Sequence, residues 1–385
     1  MSGQPNPSSP SALLCVALCL GLSASVSASG LDAEQNASGL GVSYAGASAV
    51  ADNASVLHYN PAGLTLLQGV QFSLGATGRL HRYQFNDRGS SNINGDESRQ
   101  AGKWQTLPHT YLAWAIAKDW SVGLGLSSPY SLKLDYGNDW LGRSVVTKAE
   151  LDSLNFNPTL AYRVSDRLSL GAGLNYQKIR LKVAREGEQD SDADSDFGWN
   201  AGLLYTLSPA MRLGLAYRSG MEYRFDTPSL LDTFPGVNAR GRFTTPDVFS
   251  FSVWQQVNDR WEAMGDFSYS LWQALDDYDE DGWRFAWGAA YAWDNQWKTK
   301  FGLAYDRSPI SSSERLAILP DTHRLWFSIG AQYQFGKASA LDFGYAYQSM
   351  KNPRLDNNIG GTNTHLRGNY DASGHILGIQ YSQGF

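Results

Sequence analysis

From Trp104 onward the sequence repeats one unit: a stretch of about ten or more residues in which apolar side chains alternate with small or polar ones, bounded by turn residues. In Leu325–Phe335 the odd positions are Leu, Phe, Ile, Ala, Tyr and Phe, and the even ones are Trp, Ser, Gly, Gln and Gln. Leu168, Leu170, Ala172, Leu174 and Tyr176 alternate with Ser169, Gly171, Gly173, Asn175 and Gln177 in the same way, as do Leu341–Tyr347 with Asp342–Gln348. A period of two puts each set on its own face of a strand. A half-buried soluble sheet alternates too, so the connections have to decide.

Tight turns fall at 118–119, 164–166, 207–210, 258–259, 294–295 and 336–338. Between them lie longer polar stretches at 86–102, 138–148, 186–194, 228–240, 276–282, 308–320 and 352–368. Six short turns interleaved with seven long loops predict fourteen strands, with both chain ends on the short-turn side. That asymmetry is the pattern of an all-β, antiparallel outer-membrane barrel with short periplasmic turns and long external loops. Trp120, Trp261, Trp297 and Phe335 beside the turns, and Tyr136, Trp140, Tyr223, Trp283 and Tyr305 near the far ends, are expected to form its two aromatic girdles.

Composition closes the other routes. Aromatic residues are 13% and charged residues 18%, yet no run past residue 28 approaches the ~18 apolar residues of a spanning helix. The net charge of -6, with Lys and Arg scattered, gives no footprint for nucleic acid. Both cysteines, Cys15 and Cys19, lie in the apolar stretch Ala12–Leu22, which is followed by small residues up to Ala28. This reads as a secretory signal over 1–28 and implies export. The barrel spans 69–385. Between them, 29–68 is rich in Ala, Gly, Ser and Asn, lacks the period of two and has few charges, which suits a plug, or hatch, inside the lumen.

These features together resemble the FadL family of outer-membrane transporters for long-chain fatty acids and other hydrophobic compounds. The resemblance rests on Ala37–Gly41 (with Gly39), Tyr44–Gly46, Ala49–Ser55 (with Asp52) and Asn60-Pro61-Ala62-Gly63 in the hatch. It continues through Ser128–Leu134 with Trp140, Asn157–Tyr162, Gly214–Arg218, Leu271-Trp272, Tyr305–Pro309 and Leu319–Trp326. It implies a fourteen-stranded barrel closed by an N-terminal hatch, with ligand captured by external loops, passed to an apolar lumenal pocket and released sideways at a kinked third strand. Here that strand is Trp120–Asp135, and Gly123, Gly125, Ser128 and Pro129 fall where the kink is expected. Pro129 cannot donate to a ladder; the two glycines either permit unusual backbone angles or simply fit a crowded lumen face. Asn60 before Pro61 reads as a turn that fixes the plug. Leu31 is placed to reach the lumen, so that ligand binding shifts the hatch.

Among charges, Lys298 and Lys300 share a strand face opposite Trp297, Thr299, Phe301 and Leu303 and are candidates for attracting an anionic headgroup, or are ordinary lumen charges. Arg307, Asp321 and Arg324 are read as an ion-pair cluster across neighbouring strands, with carboxylate contact by the arginines as the alternative. The acidic run at 277–282 lacks the Glu that a calcium loop needs at its twelfth position, and the run 190–196 lacks both Gly and Glu, so both are expected to be solvated loops that share divalent cations with lipopolysaccharide. No metal site follows. Nucleophile-elbow, zinc-protease, phosphate-loop and dinucleotide motifs are absent, and the six histidines are dispersed. The reading is a monomeric, cofactor-free, non-enzymatic barrel of the bacterial outer membrane that passes fatty acids, alkanes or monoaromatics inward by diffusion, in contact with membrane lipid and lipopolysaccharide. A general diffusion porin, or a structural or adhesin barrel, is the alternative.

Overall fold

The computed structural model describes residues 31–226, 238, 241–272, 280–310, 315–336, 338–359 and 364–385. The expected signal segment 1–28 and half of the acidic run 277–282, residues 277–279, lie outside them. The wall strands are β1 (Val70–Asp87), β2 (Trp104–Ala115), β3 (Trp120–Ser127, resuming at Ser131–Asp135), β4 (Lys148–Arg163), β5 (Leu168–Arg185), β6 (Glu188–Ser208) and β7 (Met211–Arg218). The rest are β8 (Val248–Gln256), β9 (Trp261–Ser270), β10 (Gly282–Ala292), β11 (Trp297–Arg307), β12 (Arg324–Gln334), β13 (Ser339–Met350) and β14 (Thr364–Gly384). Seventeen segments of one sheet make these fourteen strands among the described residues, because β3 is in two pieces and two short strands, Ser98–Gln100 and Arg354–Ile359, belong to external connections. Every pairing between wall strands is antiparallel, and β1 closes the cylinder by pairing with β2 on one side and β14 on the other.

The alternation works as the sequence predicts. Along β4, Leu154, Phe156, Leu160 and Tyr162 face lipid while Ser153, Asn155, Asn157 and Thr159 are buried in the lumen. Cross-strand ring pairs ring the tight-turn end: Trp120–Tyr162 (4.5 Å), Trp261–Tyr291 (4.8 Å) and Trp297–Tyr333 (4.7 Å).

Two expectations change at the other end. Tyr136, Trp140 and Tyr223 are buried rather than part of a girdle. The rings of Tyr136 and Trp140 stack at 4.0 Å, and the Tyr136 hydroxyl meets the Ala317 carbonyl (2.8 Å) and the Tyr370 hydroxyl (2.9 Å), closing an apolar cap over the lumen. The segment 186–194 is not a loop. β5 and β6 stay paired up to a turn at Glu186-Gly187. The acidic residues explain why: the carboxylates of Asp192, Asp194 and Asp196 accept the backbone N–H groups of Asp226 (2.7 Å), Arg224 (2.8 Å) and Glu222 (2.8 Å). The aspartates stand in for a missing neighbouring strand rather than for cation ligands.

Residues 31–68 sit inside the cylinder as short helical turns and coil, touching strands all round. Gly41 lies against Gly330 of β12, Leu40 against Gly344 of β13, and the Asn60–Pro61 turn against Gly202 of β6. A Cβ at Gly202 would stand 1.9 Å from Asn60 Oδ1 and one at Gly171 2.4 Å from Ala62 N, so wall glycines here make room for the plug's side chains and backbone.

Candidate functional site: a break in the wall and its seal

The third strand is interrupted at Ser128-Pro129-Tyr130. β2 and β3 pair only from Thr110↔Leu126 to Ala115↔Ser121. Further out they meet again at the Gly102↔Leu134 bridge, and between these points no ladder joins them. On its other side β3 follows β4 throughout, with the break itself tied to Ser153: Tyr130 N donates to Ser153 Oγ (2.8 Å), which donates to the Tyr130 carbonyl (2.7 Å). Pro129 removes a donor where the ladder stops.

The glycines do something else. The ladder runs unbroken through Gly123 and Gly125, and a Cβ at either would strike the plug's Leu57 at 3.1 and 2.8 Å. They belong to the crowded lumen face, and the break lies at Ser128–Tyr130.

Plug backbone fills the break. Ala33 N donates to the Pro129 carbonyl (2.9 Å) and Ser131 N to the Leu31 carbonyl (2.9 Å), so Leu31–Ala33 pairs with the broken strand through one antiparallel bridge, Asp32↔Tyr130. Leu31 is fully buried in the apolar cap with Tyr130 and Leu132. Gln35 adds a bond to the Ser128 carbonyl (3.0 Å). Over this seam lies Arg79 of β1, 1% exposed. Its guanidinium donates to the Asp32 carbonyl (2.7 Å), the Gln105 side chain (2.9 Å) and the Ser131 carbonyl, joining plug, β2 and β3. Glu34 stands 3.8 Å from it. Burial raises the Glu34 carboxyl above its ordinary range, a push that the Arg79 charge opposes.

Behind the seam is a cavity of about 210 Å³ lined by plug residues Glu34, Tyr44 and His58 and by wall residues including Arg218, Asp266 and Arg284. Its lining mixes these charged groups with apolar and aromatic side chains such as Tyr59, Val248 and Trp326. Leu31 and Tyr130, at the seam, also belong to the apolar cap cluster. Arg284 pairs with Asp306 (3.0 Å) and Arg324 with Asp321, whereas Arg218, among the described residues, donates only to neutral groups, Asn175 Oδ1 (2.5 Å) and the His58 carbonyl (2.8 Å). Burial, and then the Arg218 charge, hold His58 well below its ordinary value and keep it neutral.

The remaining candidates are placed as follows. Lys300 is buried, bonded to Asp342 (2.8 Å) and to the Ser38 carbonyl (2.9 Å), and Lys298 pairs with Glu262 (2.6 Å). Both are spent on ion pairs, so neither offers a free charge to a headgroup. Arg307 pairs with Glu280, away from Asp321; Arg315 joins Arg324 at Asp321 instead, through that residue's carbonyl (2.7 Å). In the plug, Asn60 accepts from Ala62 N (3.0 Å) and donates to the carbonyls of Ser48 (2.7 Å) and Leu203 (3.0 Å), with Pro61 opening the next helical turn. Gly39 lies under the Tyr44 ring, Tyr44 bonds the Asn36 carbonyl (2.8 Å), Gly63 fits against Val56, and Asp52 is exposed. Sequence reasoning missed Arg79, Glu34 and Arg218. The available signal was a charged residue on the lumen face, in mid-strand for Arg79 and at the end of β7 for Arg218.

Residues 19–385 match the family described as Outer membrane protein transport protein (OMPP1/FadL/TodX). The chain belongs to this family. Outer membrane protein P1 of Haemophilus influenzae is 29% identical over 88% of this chain and 90% of its own. The long-chain fatty acid transport protein of Salmonella typhi is 27% identical over 83% and 87%. Among solved structures, a Pseudomonas aeruginosa FadL homologue superposes with a TM-score of 0.82 at 21% identity, over 93% of this chain and 100% of its own. The Pseudomonas putida toluene transporter TodX superposes at 0.69 and 17% identity, over 92% and 99%, and shares the fold. The chain is therefore an outer-membrane transporter of hydrophobic compounds, in a family of transport channels rather than enzymes.

Proposed function

We propose that this transporter releases its cargo sideways, through the wall between β2 and β3, when Leu31–Ala33 leaves its seat. The observation that carries this reading is that the plug's own backbone, not a wall strand, completes the hydrogen bonding at Ser128–Tyr130. The Leu31–Ala33 contact, the Arg79 clamp and the side-chain bonds of Gln35 to Ser128 and of Gln105 to Ser131 need to open, and the other ladders stay closed. A hydrophobic molecule leaving by this route enters lipid directly and never crosses the aqueous periplasm, which apolar surface disfavours.

The cargo we propose is a long-chain carboxylate. A purely apolar molecule would leave Arg218 unpaired, while a carboxylate there would supply the one counter-ion that the cavity's guanidinium groups lack among the described residues. Two experiments test this. Deleting residues 29–32 should abolish uptake of a labelled fatty acid while leaving a heat-modifiable barrel, and undiminished uptake would reject the seal's role. Arg218→Met should weaken fatty acid binding more than toluene binding; equal losses would reject the carboxylate. Large steady conductance through single molecules would favour an open porin instead.

A further inference from the structure

The lipid-facing surface of β4, β5 and β6 changes chemistry along a single line. β5 presents Leu170, Ala172, Leu174 and Tyr176 outward, and then, on the same face, Lys178, Arg180 and Lys182. On β4 the outward series runs from Leu160 to Leu154 and then turns to Asp152, Glu150 and Lys148; on β6 it runs from Trp199 and Phe197 to Ser195, Ala193 and Ser191. The register aligns the three changes: Phe156 is opposite Tyr176 and Leu154 opposite Lys178, while Tyr176 is opposite Phe197 and Lys178 opposite Ser195. The Tyr176 and Phe197 rings lie 5.0 Å apart and end the apolar band. The first cation follows two residues on, about 7 Å along the strand. This is the external rim, because the tight turns and the C-terminus lie at the opposite end of the barrel.

Of the three cations, Arg180 feels an opposite charge, the Asp152 carboxylate across from it on β4. None makes an ion pair or a side-chain hydrogen bond with a described residue. Glu150, opposite Lys182, is taken by Lys148 (3.0 Å) and Lys133 (3.9 Å), and Asp152, opposite Arg180, is not within ion-pair distance of it. Like charges at successive outward positions of one strand repel one another, so the row stands at a cost that a bound anion would relieve. The anion has to sit at the height where acyl chains give way to headgroups, since the apolar belt ends one step below.

We propose that Lys178, Arg180 and Lys182 bind the phosphate groups of lipid A in outer-leaflet lipopolysaccharide, with Tyr176, Phe197 and Leu154 against its acyl chains. The planar Arg180 guanidinium suits two phosphate oxygens at once, and the flanking ammonium groups supply point charge. A free phosphate would use the same cations but not the adjoining apolar belt, which distinguishes the two sources.

The test is to purify the full-length protein and K178Q/R180Q/K182Q from the same outer membranes in mild detergent and to quantify retained lipid A by mass spectrometry. Three basic residues near a lipid surface predict about a hundredfold loss of affinity in the triple variant, with unchanged heat-modifiable migration and with retention restored in K178R/R180K/K182R. In a second arm, wild-type protein in lipid bilayer discs should bind lipid A far better than phosphatase-treated lipid A, and millimolar inorganic phosphate should not compete. Equal retention by the triple variant, equal binding of dephosphorylated lipid A, or displacement by inorganic phosphate would each overturn the proposal. If the glutamine variant fails to fold, the wild-type arm decides alone.

Discussion

Two of the buried cations that hold the plug to the wall, Lys300 and Arg79, work in opposite ways. On the β11–β13 side the ladder is complete, and Lys300 reaches past Gly330 to a carboxylate, Asp342, which Gln332 braces from β12 (3.0 Å). The same ammonium holds the plug at the Ser38 carbonyl. On the β2–β3 side the ladder is missing, and Arg79 grips backbone carbonyls of plug and strand, with its carboxylate, Glu34, only at 3.8 Å. Water can replace a carbonyl on a guanidinium when a segment lifts away, but it cannot cheaply replace a buried carboxylate on an ammonium. On the proposed release route, one contact then acts as an anchor and the other as a latch.

The anchor gives the largest expected effect. Lys300→Met strands Asp342 and should cost about 3–5 kcal/mol, the usual loss when one partner of a buried pair is removed. Lys300→Met with Asp342→Leu should recover most of it. The unfolding temperature of the heat-modifiable band reports both, and a fully tolerated single variant would erase the distinction between the two sites. Next is the latch. Arg79→Gln removes charge-assisted bonds worth about 1.5–3 kcal/mol, and that loss should appear locally. The Ala33 and Ser131 amides should exchange about tenfold to a hundredfold faster while those of β12 and β13 are unaffected. Global loosening would make Arg79 a second anchor.

The two sites also differ in how far the sequence discloses them. Strand number and the turn-end girdle are legible because a period of two and a tight turn are local properties. So is the break in β3, since Pro129 marks it within a few residues. The partners are not legible: Lys300 and Asp342 become neighbours only when β11 and β13 flank a glycine of β12, and Arg79 meets Asp32 only after the cylinder closes. The same blindness made Lys298 and Lys300 look available to a headgroup. The acidic run of β6 misled in a different way. Beyond the membrane both faces of a strand meet water, so polarity stops distinguishing strand from loop, and only the waiting N–H groups of 222–226 reveal the pairing.

Locking the latch is the next test. Asp32 and Tyr130 are a non-hydrogen-bonded antiparallel pair, flanked by the Ala33–Pro129 and Ser131–Leu31 bonds. Such pairs have Cα atoms about 4.5 Å apart, within reach of a disulfide. The only native cysteines are Cys15 and Cys19, in the expected signal segment, so Asp32→Cys with Tyr130→Cys has no native competitor beyond residue 28. Oxidised protein should take up labelled fatty acid about tenfold more slowly than reduced protein, a difference of about 1.4 kcal/mol in the barrier. Equal rates would mean that cargo leaves elsewhere.

The smallest effect is a pH dependence confined to the latch. Glu34 titrates above the ordinary 4.5 when buried and near it when the segment is free, so between those two values the seated state binds more protons than the open one. Seating is then strongest in acid and weakens as pH rises through the buried group's titration. Exchange at the Ala33 and Ser131 amides, corrected for intrinsic rate, should accelerate across that window and level off on either side. Glu34→Gln should flatten it. Acceleration toward acid instead would mean that the Arg79 attraction outweighs burial, making the latch electrostatically the same kind of contact as Lys300–Asp342.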